Sequence, residues 1–568
     1  TDSWAAVEDI IDLQREILLG NPLLDFGMLL LVRRKAGNLG LPANWQSNCV
    51  LRKTGYDNDI AVLCPVSPEG RITSIYKPDD DTFVGDVDLH FDATRLMFSK
   101  PGAKTAWHVY EADIDPDTGA LRSSPRRLTP DQGADVNQYD PCYLPNGDIL
   151  YSSTAPMVAV PCVNGGTAVA NLFRLDQTTG AARQLCFDQE HSWCPTVLNN
   201  GRVLYLRWEY ADLPHSNSRI LFHMNPDGTA QMEYYGSNSY WPNGIFYGRP
   251  IPGHPTQVVG IVTGHHGVRR MGELVLFDPA RGRREADGVV QRIPGWGEAV
   301  EPVVKDRLVD GSWPRFLHPF PLGKADGRGS GKYFLVSMQA DASSPWGIYL
   351  VDIFDNMLLL KEAPGYALLE PVPLRKQITP PAVPDRVDLS RRDAAVYLAD
   401  IHRGPGLAGI PKGETKALRL FTYTYGYRGM GGLYGTVGLD GPWDVRRVLG
   451  TVPVERDGSA FFRVPANVPI AVQPLDAEGK ALQLMRSWFT AMPGEVISCV
   501  GCHEIQNETP PPQRTVAARK PVVEVKDWHG AVRGFAFSRE VQPVLDRHCV
   551  ACHNGTTQAN TKPVFSLR

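Results

Sequence analysis

A loose repeat with a spacing of about 50 residues constrains the fold of this chain more than any other feature. Its units begin at Gly85, Tyr139, His191 and Ser239, and the clearest of them run from an apolar strand through an Asn-Gly type turn into a second apolar strand. A repeat of this length corresponds to one four-stranded blade of a β-propeller. One blade cannot bury both of its faces, so the units must pack around an axis. Six or seven blades are expected, and one or two β-sandwiches are the alternative.

The length of the chain, 568 residues, exceeds what one hydrophobic core holds and predicts several domains. With 54 Gly, 47 Pro and few long amphipathic patterns, a mainly β structure is expected. A formal net charge of −4 is small for this length, so nucleic acid is not an expected partner. No run of residues reaches the roughly 18 apolar positions of a transmembrane helix, so no membrane span is expected.

Two Cys-x-x-Cys-His motifs stand near the end of the chain, and this spacing is typical of covalent haem c attachment. In each motif, two thiols can add to the vinyl groups of one porphyrin, and the imidazole that follows can bind the iron. Zinc is the main alternative, although the Cys pairs of zinc ribbons usually lie about 15–20 residues apart; disulfide or dithiol redox chemistry is another. The residues predicted to hold two haems c are Cys499, Cys502 and His503 in the first motif, and Cys549, Cys552 and His553 in the second.

The chain divides by pattern into five regions. A Pro-rich stretch after the repeats indicates a stiff linker. Short strands on either side of turns at Asp457 and Asp476 predict one small antiparallel sheet from Leu449 to Trp488 ahead of the first motif, and its last strand is expected from Ala481 to Trp488. The apolar face from Phe537 to His548 predicts a helix that delivers Cys549 to the porphyrin edge. The regions are 1–24, an amphipathic lead-in helix; 25–375, the β-propeller; 376–394, the linker; 395–520, a β-rich middle domain with the first haem c; and 521–568, a small α-helical, cytochrome c-like segment with the second.

The state of the six cysteines outside the two motifs depends on the cellular compartment of the protein. Haem c is attached outside the cytoplasm, so a periplasmic or equivalent extracytoplasmic location is expected, with a signal peptide removed before Thr1. An even number of remaining cysteines in an oxidising compartment suggests disulfides, and buried free thiols are the alternative. The expected bonds join nearest neighbours: Cys49 to Cys64, Cys142 to Cys162 and Cys186 to Cys194.

Three further groups are candidate sites. His529, between the motifs, is a candidate distal iron ligand, and a surface histidine is the alternative. Asp79 to Asp81 could hold an additional metal ion such as calcium, although three acids in a loop are usually solvated. The turn from His265 to Arg270 is expected to be a solvated hairpin tip, with a pocket mouth or a docking face as the alternative.

Several segments of the middle domain resemble the hydrazine synthase alpha subunit family, and the order of the other regions agrees. The resemblance implies a propeller, a middle domain with a catalytic haem and a C-terminal haem for electron transfer, within a multi-subunit complex. The segments that carry it are Asp457 to Pro465, Gln473 to Asp476, Met485 to Trp488 and Pro493 to Glu504.

One position departs from that family. There, a tyrosine four residues after the motif histidine is the proximal ligand of the catalytic haem, and the histidine turns towards a zinc. Asn507 stands at the matching position here, and Asn binds ferric iron poorly. Either His503 takes the ordinary axial role, or a tyrosine from elsewhere in the chain substitutes. The departure places hydrazine formation in doubt and leaves haem attachment intact.

Three functions remain open. The first is a haem oxidoreductase that acts on a small nitrogen or oxygen species, with other redox subunits or cytochromes as partners. The second is a non-catalytic di-haem electron-transfer protein whose propeller docks its partners. The third is a haem-free binding protein whose Cys pairs hold zinc.

Overall fold

The computed structural model describes residues 2–102, 106–160, 163, 165–210, 218–236, 239–265, 268–324, 329–429, 445–503, 507, 514–526, 537–555 and 566–567. The chain falls into two compact units, residues 1–525 and 526–568. Among the described helices, none combines the length and the apolar character that a membrane crossing requires.

Helix α1 (Asp2–Leu19) opens the larger unit, as the amphipathic pattern predicts. Leu18 is buried against the first sheet of the propeller, and the side-chain amide of Gln14 donates to Oδ1 of Asn356 at 2.5 Å. Gly20 then donates its N–H to the carbonyl of Glu16 at 2.9 Å, and Asn21 and Pro22 end the helix.

Short strands separated by tight turns fill the region that the repeat assigns to the propeller. Their first half comprises β1 (Leu29–Lys35), β2 (Asn58–Cys64), β3 (Arg71–Tyr76), β4 (Gly85–Leu89), β5 (Arg95–Pro101), β6 (Trp107–Asp113), β7 (Arg126–Arg127), β8 (Gln138–Tyr143), β9 (Ile149–Ser153), β10 (Asn171–Leu175) and β11 (Ala182–Gln184). The second half comprises β12 (Ser192–Val197), β13 (Val203–Glu209), β14 (Ser218–Met224), β15 (Met232–Tyr235), β16 (Ile245–Pro250), β17 (Val258–Val262), β18 (Glu273–Phe277), β19 (Val289–Ile293), the short helix α2 (Leu308–Gly311), β20 (Arg315–Gly323), β21 (Gly329–Gln339), β22 (Gly347–Asp352), β23 (Met357–Lys361) and β24 (Tyr366–Pro373).

Hydrogen bonds join these strands into six four-stranded antiparallel sheets, which we number blades 1 to 6 in chain order. Blade 1 consists of β1, β2 and β3 completed by β24, and each other blade uses four consecutive strands. The innermost strands β24, β4, β8, β12, β16 and β20 contact one another in this order, and β20 contacts β24 again. The ring therefore has six blades, within the predicted six or seven, and the sandwich alternative is wrong.

Every innermost strand carries a β-bulge at the same position. The residue inside each bulge has a positive φ, between 48° and 60°, which is uncommon for residues other than glycine. A conformation repeated in all six blades is a built feature of the fold, and it points one side chain per blade into the central channel. We call these six residues the waist ring: Asp86, Asp140, Cys194, Tyr247, His318 and Glu370.

The middle domain contains two sheets instead of the predicted single one. Its strands are β25 (Asp393–Leu398), β26 (Ala417–Thr424), β27 (Val445–Pro453), β28 (Ala460–Pro465), β29 (Pro469–Leu475), β30 (Phe489–Thr490) and β31 (Val496–Cys499). One sheet has the order β28-β25-β31 and the other β27-β26-β29-β30, so the neighbours β27 and β28 belong to different sheets. The two sheets enclose one core that includes Val396, Leu420 and Phe462.

The strand predicted from Ala481 to Trp488 does not form. The backbone carbonyl of Trp488 accepts a hydrogen bond from Nη2 of Arg207 in the propeller at 3.2 Å. The segment is joined to β29 by an isolated bridge between Ala481 and Leu475 and by the N–H groups of Leu482 and Met485, and its end at Trp488 packs against blade 4.

The smaller unit contains a π-helical turn (Phe537–Val541) that leads into helix α3 (Gln542–His548). Pro543 suits the first turn of α3, where its missing N–H costs nothing, and Arg547 and His548 in the last turn complement the helix dipole. The helix predicted ahead of the second motif is therefore present.

Candidate functional site

The first Cys-x-x-Cys-His motif lies where strand β31 ends. β31 runs parallel to β25, with Cys499 beside Leu398. The carbonyl of Cys499 accepts from the N–H of Ala399 at 2.9 Å, and that of Cys502 accepts from the N–H of Gly406 at 3.2 Å. Backbone bonds to the segment 399–406 therefore fix the position of the motif.

Glycines allow the motif to approach this segment closely. A Cβ atom on Gly406 would lie 2.6 Å from Sγ of Cys502, and one on Gly404 would lie 2.4 Å from the carbonyl oxygen of His503. His503 itself has a φ of 55°, in the left-handed region. Side chains in place of these glycines would push Cys502 and His503 away from their positions.

Burial controls protonation at the first motif. It raises the pKa of the Cys502 thiol and lowers the pKa of the His503 imidazole. Both groups are therefore neutral at neutral pH, and the neutral imidazole is the form that binds a metal.

The second motif forms a compact turn directly after α3. The N–H of Cys549 donates to the carbonyl of Leu545 at 2.8 Å, and the N–H of His553 donates to the carbonyl of Cys549 at 2.9 Å. Cys549 and Cys552 carry free thiols. Two thiols and an imidazole thus follow one another within a single turn, as attachment of a porphyrin requires.

Large apolar side chains remain exposed close to both motifs in sequence. Val496, in β31, is 60% exposed, and Phe537 and Val544, ahead of Cys549, are 59% and 54% exposed. Apolar surface of this kind is what a flat, apolar ring system would cover. With the thiols and imidazoles of the motifs, it makes the residues present compatible with haem c.

Within the part of the chain that the structure describes, no group of three or more His, Cys, Asp or Glu side chains is placed to hold a metal ion such as zinc.

The acidic loop from Asp79 to Asp81 makes local hydrogen bonds. Asp80 accepts from the hydroxyl of Thr82 at 2.5 Å, and Asp81 accepts from the N–H of Gly55 at 2.9 Å.

Asn507 contacts the propeller. Its Nδ2 donates to the carbonyl of Pro279 at 2.9 Å, and its Oδ1 accepts from Nε of Arg283 at 3.0 Å. Both partners belong to the turn between β18 and β19 of blade 5. The side-chain amide of Asn507 is thus bonded to blade 5.

The turn from His265 to Arg270 differs from the expected solvated tip. Nη1 of Arg269 donates to the carbonyl of Leu41 and Nη2 of Arg270 to that of Gln46, while Nδ1 of His265 lies 2.9 Å from Oδ1 of Asp306. Arg270 is buried and lines the channel. The expectation was wrong because these arginines bind carbonyls of the connection between β1 and β2. His266 lies outside the described residues, as does the candidate ligand His529.

The expected disulfides Cys49–Cys64 and Cys186–Cys194 are absent, since all four residues are free thiols. Cys142 is a free thiol too, and Cys162 lies outside the described residues. Cys186 lies buried in the core between blades, whereas Cys194 belongs to the waist ring, so closeness in sequence does not bring the two sulfurs together.

The waist ring was missed by the sequence patterns. Burial raises the pKa of Asp140 and of Glu370 to about 7 each, with the nearby Asp86 as a further cause. The sequence does contain a repeated pattern that marks the ring: proline follows the ring residue in four of the six blades. These dipeptides are Asp140-Pro141, Cys194-Pro195, His318-Pro319 and Glu370-Pro371.

The fold and the motifs define a class: a six-bladed propeller joined to a β-rich domain with a Cys-x-x-Cys-His motif. Residues 413–504 match the family model of the hydrazine synthase alpha subunit middle domain. The predicted resemblance to this family is thereby confirmed for the middle domain.

Solved structures extend the likeness to the fold of nearly the whole chain. Kuenenia stuttgartiensis hydrazine synthase superposes with a TM-score of 0.72 at 15% identity, over 95% of this chain and 84% of that chain. TolB from Acinetobacter baumannii gives a TM-score of 0.34 at 11% identity, over 61% of this chain and 66% of that chain. No curated protein sequence matches the chain.

Proposed function

We propose that this protein is a di-haem c-type oxidoreductase of an extracytoplasmic compartment. In this proposal, Cys499 and Cys502 carry the haem at which a small nitrogen or oxygen species reacts. Cys549 and Cys552 carry a second haem for electron transfer. A haem at such a motif supplies one-electron chemistry at its iron.

The placement of Cys499, Cys502 and His503 carries the proposal. The segment 399–406 holds their backbone, and burial keeps the imidazole neutral and thus able to bind iron. The match of residues 413–504 to the hydrazine synthase alpha subunit middle domain supports a catalytic role for this region. His503 is the proposed axial ligand of the first haem, and His553 that of the second.

Asn507 favours a reaction other than hydrazine formation. The family resemblance implies a tyrosine ligand at this position, whereas the amide of Asn507 is bonded to Arg283 and Pro279 of the propeller. The proposed substrate class is therefore a small nitrogen or oxygen species, and other redox subunits or cytochromes are the proposed partners.

A pyridine haemochrome assay on the purified full-length chain tests haem attachment. Two haems c per chain are expected, one of which is lost in the variant Cys499→Ala/Cys502→Ala and the other in Cys549→Ala/Cys552→Ala. A wild-type chain without haem would refute the proposal and leave the zinc-binding alternative.

The ferric spin state then separates catalysis from electron transfer alone. A catalytic haem is expected to be high-spin and to change its spectrum on addition of nitric oxide, because one axial position must be open. Two low-spin haems that do not respond to nitric oxide would identify an electron-transfer protein with a docking propeller.

A further inference from the structure

The propeller channel contains a second ring of positions, two residues after the waist ring in each innermost strand. At this level, blade 2 carries Asp88 and blade 5 carries Arg249, and these blades lie opposite each other in the ring of six. Both residues line a cavity of about 380 Å³ at the channel mouth. Cys142, Thr196, Phe320 and Val372 occupy the same level in the other blades.

Arg249 is a half-buried guanidinium, and the acid that interacts with its charge across the channel is Asp88. Its side chain makes one hydrogen bond, from Nη1 to Oγ1 of Thr196 at 3.2 Å, and it forms no ion pair with any described residue. Nε and Nη2 remain as donors in the planar fork that matches a carboxylate. A partly desolvated charge of this kind gains free energy from an anion that enters the cavity.

The charge around Arg249 also favours an anion. Lys324 and Lys376, both exposed, line the same cavity, as does Arg375, which is paired with Asp25. Asp88 is the opposing charge of the cavity, and its Oδ2 accepts from the N–H of Tyr143 at 2.8 Å. Lys324 and Lys376 form no ion pair with a described residue, so these two lysines and Arg249 outweigh the one acid in the lining and favour anions at the cavity mouth.

We propose that this cavity binds a small carboxylate, with Arg249 as the main contact at its base and Lys324 and Lys376 at its rim. A cavity of about 380 Å³ has the size of a small-molecule site. A single carboxylate suits it best, because Asp88 lies on the opposite side of the channel. The site is independent of the two haem motifs.

Calorimetric titration of the full-length, haem-loaded protein tests the proposal. The probes are acetate, succinate and one peptide, which is used once with a free C-terminus and once with an amidated C-terminus. We expect saturable binding that Arg249→Gln weakens about tenfold or more, since charge-assisted bonds are lost. Asp88→Asn keeps the acceptor for Tyr143 but removes the repelling charge, so binding should tighten several-fold. Arg71→Gln, on the outermost strand of blade 1, is the control and should bind as wild type does.

Effects of opposite sign in Arg249→Gln and Asp88→Asn cannot come from misfolding. Acetate or succinate binding would identify a free metabolite as the source of the carboxylate. Binding of only the peptide with a free C-terminus would identify a protein terminus. Binding that is unchanged in Arg249→Gln, or no saturable binding of any probe, would overturn the proposal, whatever the haem content.

Discussion

The indole nitrogen of Trp488 donates a hydrogen bond to Oδ1 of Asp188 at 3.0 Å, and this bond joins the middle domain to the propeller. The same carboxylate oxygen lies 3.4 Å from Nε of Arg207, whose guanidinium lies 4.5 Å from the centre of the Trp488 ring. All three side chains are buried. A buried ion pair is stable only when its hydrogen bonds are complete. The contacts among Trp488, Asp188 and Arg207 therefore contribute to the stability of the interface between the middle domain and the propeller.

Trp488→Phe should lower stability by about 1–3 kcal/mol, since it removes one donor from a buried carboxylate and keeps most of the ring. Urea denaturation followed by far-ultraviolet circular dichroism measures the change. Trp296→Phe is the matched control, because Trp296 is 68% exposed. Equal denaturation midpoints for Trp488→Phe and the wild type would show that the bond to Asp188 contributes nothing.

Gly406→Ala should reduce haem at the first motif while the second motif stays loaded. The new Cβ would lie 2.6 Å from Sγ of Cys502, so this sulfur must move from its position for thioether formation. The haemochrome assay should then approach one haem per chain. Gly37→Ala, where nothing lies within 4 Å of the new Cβ, should keep both haems. Full loading of Gly406→Ala would contradict the proposed positioning.

The propeller was predictable because its information is local and repeated. A strand, a tight turn and a second strand occur in each unit, and the period sets the blade. The waist ring depends on the bulges of six strands that meet only in the folded channel, so the period alone could not reveal it. The dipeptides with proline, such as Asp140-Pro141, were the visible trace of that ring.

The middle domain was harder to predict because its strands pair across long separations. β25 lies beside β31 in parallel, with Leu398 next to Cys499, and a parallel pair needs a long connection that leaves no short-range signal. The segment ending at Trp488 has an apolar pattern that suits a strand equally well. Its contact with Arg207 and Asp188 decides the outcome, and that contact exists only after the domains meet.

Free thiols outside the motifs should differ sharply in reactivity. Cys64 is exposed, whereas Cys142 and Cys186 are buried, and burial raises the pKa of both buried thiols. Brief alkylation of the native protein with iodoacetamide, read by mass spectrometry, should label Cys64 first. After denaturation without reductant, Cys49, Cys186 and the others named should all be labelled. Cys64 protected from alkylation in the denatured, unreduced chain would indicate the Cys49–Cys64 disulfide instead.

Asp140 should make the protein less stable as the pH rises from about 4 to 7. Burial, with the neighbouring Asp86, raises its pKa from 3.8 to about 7. Between these values the folded chain holds a proton that the unfolded chain has lost, so stability falls as pH rises through this window and stays reduced above it. Glu370, another acid of the waist ring, and the buried Arg270 line the same part of the channel as Asp140 and Asp86.

Asp140→Asn removes this titration and keeps an acceptor for the N–H of Cys194, which lies 2.6 Å from Oδ2. The variant should therefore lose less stability than the wild type between pH 5 and pH 8, and it should unfold at a higher temperature than the wild type at pH 8. Thermal unfolding at both pH values measures this difference, with the exposed loop substitution Asp117→Asn as control. If the unfolding temperature changes between pH 5 and pH 8 by the same amount in Asp140→Asn and in the wild type, the prediction is wrong. Asp140 would then be ionised in the folded protein at both pH values, which requires a hydrated channel.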